Sequence, residues 1–426
     1  MVKYLLPALL LLSILSCSPA RRISRDLQRN AAYTDHFTGF ALYDPGQQKT
    51  LVAYNADKYF VPASNTKLFS FYAGLTALGD SIPALRYVVR GDSLIFWGTG
   101  NPLLLNPDLP DTAALRFLRS RPEKLFFSVR NFSGPRFGPG WSWDDYNDYY
   151  STEIAPFPIY GNIVRFIAPD RVPNFYVHPR FFADSVRRST NPKEPAIMRR
   201  AEWANQFIRP AADKPFQRDV PFHWTPLLAT KLLTDTLKRE VHLINRPFDR
   251  SAKVLYGLPT DSLYKRMLQV SDNMLADHLL LLVSSTSDTL NAQGAIQQML
   301  AKYLSDLPGR AVWVDGSGLS RYNLFTPNQL IALLQKIYKQ VPQERLFQLL
   351  PAGGRSGTLR TLHKTDQPYI FAKSGSLSGV YNLSGYLITR TGRVLLFSMM
   401  HNNFVQPTSE IRKRTADFLE RVRNRF

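Results

Sequence analysis

The sequence predicts an α+β protein: an antiparallel sheet sandwiched by helices, with a mostly β domain inserted after the first helix. Three observations lead there. Alternating apolar residues mark half-buried strands near both ends of the chain, at Phe37 to Tyr43, Thr50 to Tyr54, Tyr369–Ala372, Val380–Thr389 and Val394–Met400. Helical periodicity runs through Leu227–Leu237, Leu263–Leu282, Leu290–Leu304 and Pro327–Val341. From about Ala84 to Asp219 that periodicity fades, prolines and aromatics become dense, and short apolar runs such as Ser93–Trp97 and Leu125–Val129 sit between turn signals.

The chain starts with Lys3 and an apolar run, Tyr4 to Leu15, too short to span a bilayer as a mature helix. Ile14-Leu15-Ser16-Cys17 follows and resembles a bacterial lipobox, which implies removal of residues 1–16 as a signal peptide and lipidation of Cys17. The alternative is a plain secretory signal in which Cys17 is incidental. Both predict export to the periplasm or cell envelope. Cys17 is the sole cysteine, which excludes an internal disulfide and a cysteine metal cluster. Residues 17–34 are polar and basic and read as a tether or a first helix.

Asp44-Pro45-Gly46 turns the first two strands into a hairpin. Pro62-Ala63 then leads into Ser64-Asn65-Thr66-Lys67, with Leu68, Phe69, Tyr72 and Leu75 at helical spacing before Gly79. A serine and a lysine three apart share a helix face, where a desolvated lysine could take the serine proton. The inserted segment, residues 85–219, is most distinctive at Gly134 to Tyr146, where Trp141 and Trp143 stand beside Asp144 and Asp145 and are followed by Tyr149 and Tyr150. This stretch suits a site wall or an aromatic corner. Trp313 to Arg321 reads as a strand end entering a loop, Thr391-Gly392 as a hairpin turn, and Ile411, Phe418, Leu419 and Val422 as one face of a closing helix. The expected organisation is a signal peptide at 1–16, a tether at 17–34, a discontinuous domain of residues 35–84 and 220–426, and the inserted domain at 85–219.

In its 426 residues the chain carries 53 Lys+Arg against 33 Asp+Glu, a formal charge of +20, while 44% hydrophobic residues allow a large core. Such charge favours anionic surroundings. The basic residues are scattered without a nucleic-acid motif, so nucleic acid is not an expected partner. The seven histidines (His36, His178, His223, His242, His278, His363 and His401) show no ligand spacing, and neither metal nor other cofactor is expected. His278 reads as helix surface, and Gly353-Gly354 as a turn rather than a phosphate loop.

Two downstream segments give Ser64 and Lys67 their meaning. Ser271-Asp272-Asn273 stands near a helix start and Lys373-Ser374-Gly375 at a strand end. The ordered set Ser-x-x-Lys, Ser-x-Asn, Lys-Ser-Gly is close to that of penicillin-binding proteins and serine β-lactamases. The chain therefore resembles the penicillin-recognising serine enzymes, and more narrowly the D-alanyl-D-alanine carboxypeptidases/endopeptidases of the class C low-molecular-mass penicillin-binding proteins. The narrower likeness rests on Pro62-Ala63-Ser64, Gly100-Asn101-Pro102, Pro139 to Asp145, Ser271 to Asp277, Asp315 to Arg321 and Lys373 to Leu383. It covers about residues 35 to 420. Ser374 stands where many members have Thr, with the hydroxyl retained.

The resemblance implies a serine β-lactamase/transpeptidase-like fold and a serine D,D-peptidase acting on peptidoglycan peptides and acylated by β-lactam antibiotics. It implies Ser64 as nucleophile, Lys67 as general base, Ser271 as proton relay, and Asn273 on the substrate backbone. Lys373 and Ser374 would hold the terminal carboxylate, Gly375 would let substrate approach, and backbone N–H groups of Ser64 and Ser376 would form the oxyanion hole. Asp145, Arg321 and Ser378, with Tyr150, match the family's pocket for the free amino-acid end of the peptide. Two other readings remain: a β-lactamase-like hydrolase on the same scaffold, and a non-catalytic peptidoglycan-binding lipoprotein anchored to the membrane through Cys17.

Overall fold

The structure, a computed structural model, describes residues 18–169, 175–191, 197–210 and 215–426. The expected signal peptide and Cys17 lie outside the described residues. The chain divides into two compact units.

One unit holds residues 18–65, 307–311 and 324–426. Its five-stranded sheet is antiparallel throughout, in the order Ile370–Leu377, Val380–Ile388, Val394–Asn402, Phe37–Asp44, Lys49–Tyr54. The N-terminal hairpin therefore completes a sheet made from the other end of the chain. Its turn is fixed by Asp44, whose Oδ1 accepts from the backbone N–H of Gly46 (2.9 Å) and Gln47 (3.1 Å). The two-residue period of the strands sends Phe40, Leu383, Leu387, Phe397 and Met399 into one core with Phe418, Leu419 and Val422 of the helix Thr408–Arg425. The opposite face meets other helices. Phe371 stacks on Phe347 with centroids 4.1 Å apart, and the Tyr386 hydroxyl donates to the Leu334 carbonyl of the helix Pro327–Gln340 at 3.0 Å. Helices thus cover both sheet faces, as the α+β reading expects.

Of the two readings of residues 17–34, tether or first helix, the described part follows the helix. Pro19–Arg29 is a helix capped by Ser18, and Ile23 and Leu27, one turn apart, are fully buried. Its other positions are mostly arginine and polar residues, so an apolar stripe two residues wide was hidden in a basic composition. Each such burial contributes about 1.5–3 kcal/mol.

The second unit holds residues 66–306 and 312–323. Among the described residues it has a five-stranded mixed sheet, Val241–Leu243, Lys124–Ser128, Ser93–Trp97, Ser81–Arg90, Lys253–Pro259, and two three-stranded sheets. The strand Lys124–Ser128 runs parallel to both neighbours. One apolar core joins these sheets through Phe96, Phe127, Phe166 and Phe222. Leu232 and Leu233 of the helix Pro226–Leu237 are buried in that same core, which the sheet extends to Pro259. The break drawn at 219/220 therefore cuts through a packed core. The amphipathic pattern of that helix announces an apolar face but not the sheet it will cover. The unit also contains the helices Lys67–Ala77, Thr260–Val270, Asn273–Ser284 and Ala292–Lys302. Phe71 meets Tyr264 edge-on at 5.2 Å, and Asn273–Ser284 is buried from Met274 onward.

Candidate active site

Ser64 lies in a 3-10 turn, Ala63–Thr66, that runs straight into the helix Lys67–Ala77. Three asparagines secure the approach to it. Asn402 Oδ1 accepts from Val61 N–H (2.8 Å), Asn382 Nδ2 donates to the Val61 carbonyl (2.9 Å), and Asn65 Nδ2 donates to Ser384 Oγ (2.8 Å). This bracing sustains Ala63 at φ 47°, a left-handed conformation that an L side chain adopts only under strain.

Gly375 packs directly on this turn. A Cβ there would stand 2.6 Å from the Pro62 carbonyl oxygen and 2.9 Å from the backbone nitrogens of Ser64 and Asn65. The strand Ile370–Leu377 is the sheet edge, so Gly375, between Ser374 and Ser376, sets the Ser64 turn against an edge able to pair with an extended peptide. Lys373 is fully buried and donates to the Ser374 carbonyl at 2.6 Å. Ser374 Oγ donates to Thr358 Oγ1 at 2.7 Å, while Ser376 and Ser378 are exposed.

In the second unit, Lys67 is fully buried. Its ammonium donates to Asn273 Oδ1 and to the Ser317 carbonyl, each at 2.7 Å. Burial pushes it down to about 8, against the opposing pull of Asp277, Asp315 and Asp272. Ser271, at φ 63°, ends one helix, and Asp272 caps the next by accepting from Leu275 N–H at 3.1 Å. That sharp turn presents Asn273, whose Nδ2 donates to the Tyr150 carbonyl at 3.0 Å. Lys67 and Asn273 are thus joined directly, and Tyr150 reaches Asn273 from the segment before it.

Asp315 organises the following loop. Its Oδ1 accepts from Gly318 N–H and Asn323 Nδ2, both at 2.8 Å, and its Oδ2 from Ser320 N–H (2.7 Å) and Trp141 Nε1 (3.0 Å). The Trp141 bond ties the aromatic segment to the loop bearing Arg321. Asp145 accepts from the Tyr150 hydroxyl at 3.0 Å, and burial pushes its carboxyl up. Arg321 is exposed. A cavity of about 290 Å³ opens beside Tyr150, Ser271, Asp272 and Asn273. Among the described residues, no group of three or more His, Cys, Asp or Glu side chains could hold a metal ion.

His278 is corrected: it is buried, not surface. Its Nδ1 donates to the Met274 carbonyl (2.9 Å) and its Nε2 accepts from Ala155 N–H (3.2 Å), a pattern that assigns the neutral tautomer. Burial pushes it down to about 4. Sequence reasoning also passed over Asp277, Asp315 and Ser317 as individual residues. The available signal was an acid one turn after Asn273 in an otherwise apolar helix.

The fold is that of the penicillin-recognising serine enzymes. The chain belongs to the D-Ala-D-Ala carboxypeptidase 3 (S13) family, a family of serine hydrolases whose model matches residues 20–422. It is 24% identical to the D-alanyl-D-alanine carboxypeptidase DacB of Haemophilus influenzae, over 91% of this chain and 90% of that one. It is 27% identical to the carboxypeptidase Rv3627c of Mycobacterium tuberculosis, covering 81% and 72%. The crystal structure of penicillin binding protein 4 (dacB) from H. influenzae matches with a TM-score of 0.72 at 22% identity, covering 94% of this chain and 99% of that one.

Proposed function

We propose that the chain cleaves D-Ala-D-Ala, or D-Ala-diamino-acid, bonds of peptidoglycan peptides through an acyl-enzyme on Ser64. The observation that carries this reading is the buried ammonium of Lys67, held by Asn273 and Ser317 one turn from the serine. A lysine desolvated in this way is ready to act as a base near neutral pH. Ser64 Oγ attacks the carbonyl of the penultimate D-Ala while Lys67 takes its proton. The backbone N–H groups of Ser64 and Ser376 stabilise the oxyanion. Ser271 relays a proton to the leaving amine, which departs as the C–N bond breaks. Water then attacks the ester, releases the shortened peptide and restores the serine.

Asn273 hydrogen-bonds the peptide backbone, and Lys373 with Ser374 holds the terminal carboxylate. Gly375 leaves the strand edge open for the substrate. Asp145, Arg321 and Ser378, with Tyr150, receive the free end of a diamino-acid side chain, the acid facing ammonium and the arginine carboxylate. β-Lactams resemble the D-Ala-D-Ala end and trap Ser64. A relative's structure with a β-lactam bound, penicillin binding protein 4 from H. influenzae, supports this reading. At the N-terminus, residues 1–16 serve as a signal peptide and lipidated Cys17 holds the enzyme at a membrane of the cell envelope, consistent with the +20 charge.

The test is the intact mass of the purified protein after benzylpenicillin, beside Ser64→Ala, together with D-Ala release from a D-Ala-D-Ala peptide. One drug adduct on the wild type alone, with peptide cleavage lost in the variant, is the expected result. Penicillin and peptide both left intact by the wild type would refute the proposal.

A further inference from the structure

Asp277 has no part in the chemistry just described, yet it is built into the support of Lys67. It stands one turn after Asn273 and is 4% exposed. Its Oδ1 accepts from the backbone N–H of Gly316 (2.8 Å) and Ser317 (3.0 Å). The Ser317 carbonyl is the atom that receives the Lys67 ammonium. The same turn is held from the other side by Ser70, whose hydroxyl donates to the Gly316 carbonyl at 2.6 Å. Ser70 lies one helical turn after Lys67. The turn also rests directly on the Asp277 helix, since a Cβ at Gly316 would stand 2.3 Å from the Ala276 carbonyl oxygen.

The two buried acids of this region differ. Both oxygens of Asp315 are engaged, each by two donors. Asp277 Oδ2 is buried with no hydrogen-bond partner among the described residues. Burial, with Asp315 beside it, pushes the Asp277 carboxyl up to about 8, into the range of Lys67, while Lys67 pulls it back down, so the acid and the ammonium titrate together. The charged groups around Lys67 are Asp277 on the Asn273–Ser284 helix, Asp315 on the loop and Asp272 at the helix cap.

We propose that Asp277 is a positioning residue for Lys67: it fixes the Gly316–Ser317 turn against the lysine ammonium, and in its ionised form it restrains release of the lysine proton. This rests on the reading of Lys67 as the base. Asp277 sets the pH at which that base becomes available, while Ser70 shares the mechanical task without contributing charge.

The experiment compares the pH dependence of acylation by benzylpenicillin in the wild type, Asp277→Asn and Ser70→Ala, each checked for folding by thermal melting. Asn keeps an oxygen for the two N–H groups and removes the charge. Its acidic limb is expected to move to lower pH, by no more than the roughly one to three units of a fully ionised close partner, because Asp277 itself is pushed up toward the range of Lys67. Ser70→Ala loses one hydrogen bond and is expected to slow acylation about 5–10-fold at every pH, with the limb in place. An Asp277→Asn limb superimposed on the wild type overturns the proposal, as does an equal displacement in Ser70→Ala. If Asp277→Asn does not fold, Ser70→Ala decides: undiminished acylation refutes the positioning of Lys67 through this turn. A wild type inert to penicillin and peptide at every pH would instead refute the proposed function.

Discussion

Replacing Gly375 by alanine probes how closely the strand edge is fitted to the turn bearing Ser64. The added carbon would stand 2.6 Å from the Pro62 carbonyl oxygen, where ordinary contact begins at 3.4 Å, so the backbones must part by about 0.8 Å. No side-chain rotation can relieve this, because the three nearest atoms all belong to the backbone. The turn cannot yield freely either, being held by Asn382, Asn402 and the bond from Asn65 to Ser384. Overpacking of this kind costs about 1–3 kcal/mol. For a protein of this size that is a fall in Tm of about 2–4 °C per kcal/mol, or somewhat less. A displacement approaching 1 Å at reacting atoms slows chemistry about 100-fold. Acylation by benzylpenicillin, followed by intact mass against time, is therefore expected to slow by about 30–100-fold, with Tm lowered by a few degrees. A Gly375→Ala enzyme with wild-type acylation rate and Tm would refute the steric argument.

Two further substitutions test other parts. His278 falls to about 4 in the folded chain from 6.5, so the stability it allows is full above pH 6.5 and is lost as pH drops from there through 4. The loss approaches about 3 kcal/mol. Tm measured from pH 8 to 4 should decline less steeply in His278→Gln than in the wild type, although His401 and His363, also pushed down by burial, keep part of the slope; parallel curves would contradict the assignment. Asp145→Ala should lower kcat/KM about tenfold or more for peptides ending in a free diamino-acid side chain, the loss of one charge-assisted bond, and leave penicillin acylation nearly unchanged. Equal losses on both substrates would remove Asp145 from the pocket.

Much of this was legible in the sequence because the decisive features are local. Ser64-Asn65-Thr66-Lys67, Ser271-Asp272-Asn273 and Lys373-Ser374-Gly375 each fall where an element starts or bends, and strand alternation at both chain ends announced the sheet. The less legible parts depend on partners distant in sequence. Ile23 and Leu27 could not be recognised as core because their partners include Phe40 and Phe418. Leu232 and Leu233 announce a helix face, but nothing local says that it covers a sheet beginning 150 residues earlier. His278 reads as surface until the Ala155 amide is brought to its ring. The grip of Asp277 on Gly316 and Ser317 spans about 40 residues and leaves no periodic trace.

The sheet order also governs when the Ser64 turn can be seated. The strand Phe37–Asp44 is flanked by its hairpin mate on one side and by Val394–Asn402 on the other. The turn bearing Ser64 takes its bracing from Asn382, Ser384 and Asn402. A growing polypeptide makes the serine early and the residues that seat it more than 300 positions later. Pairings of such long sequence separation form slowly, after the entropy of closing the intervening chain has been overcome. A nascent chain that already carries Ser64 thus lacks the frame that orients it until nearly all of the polypeptide has been made. Topology alone places a built-in delay between the synthesis of Ser64 and its seating in the folded sheet.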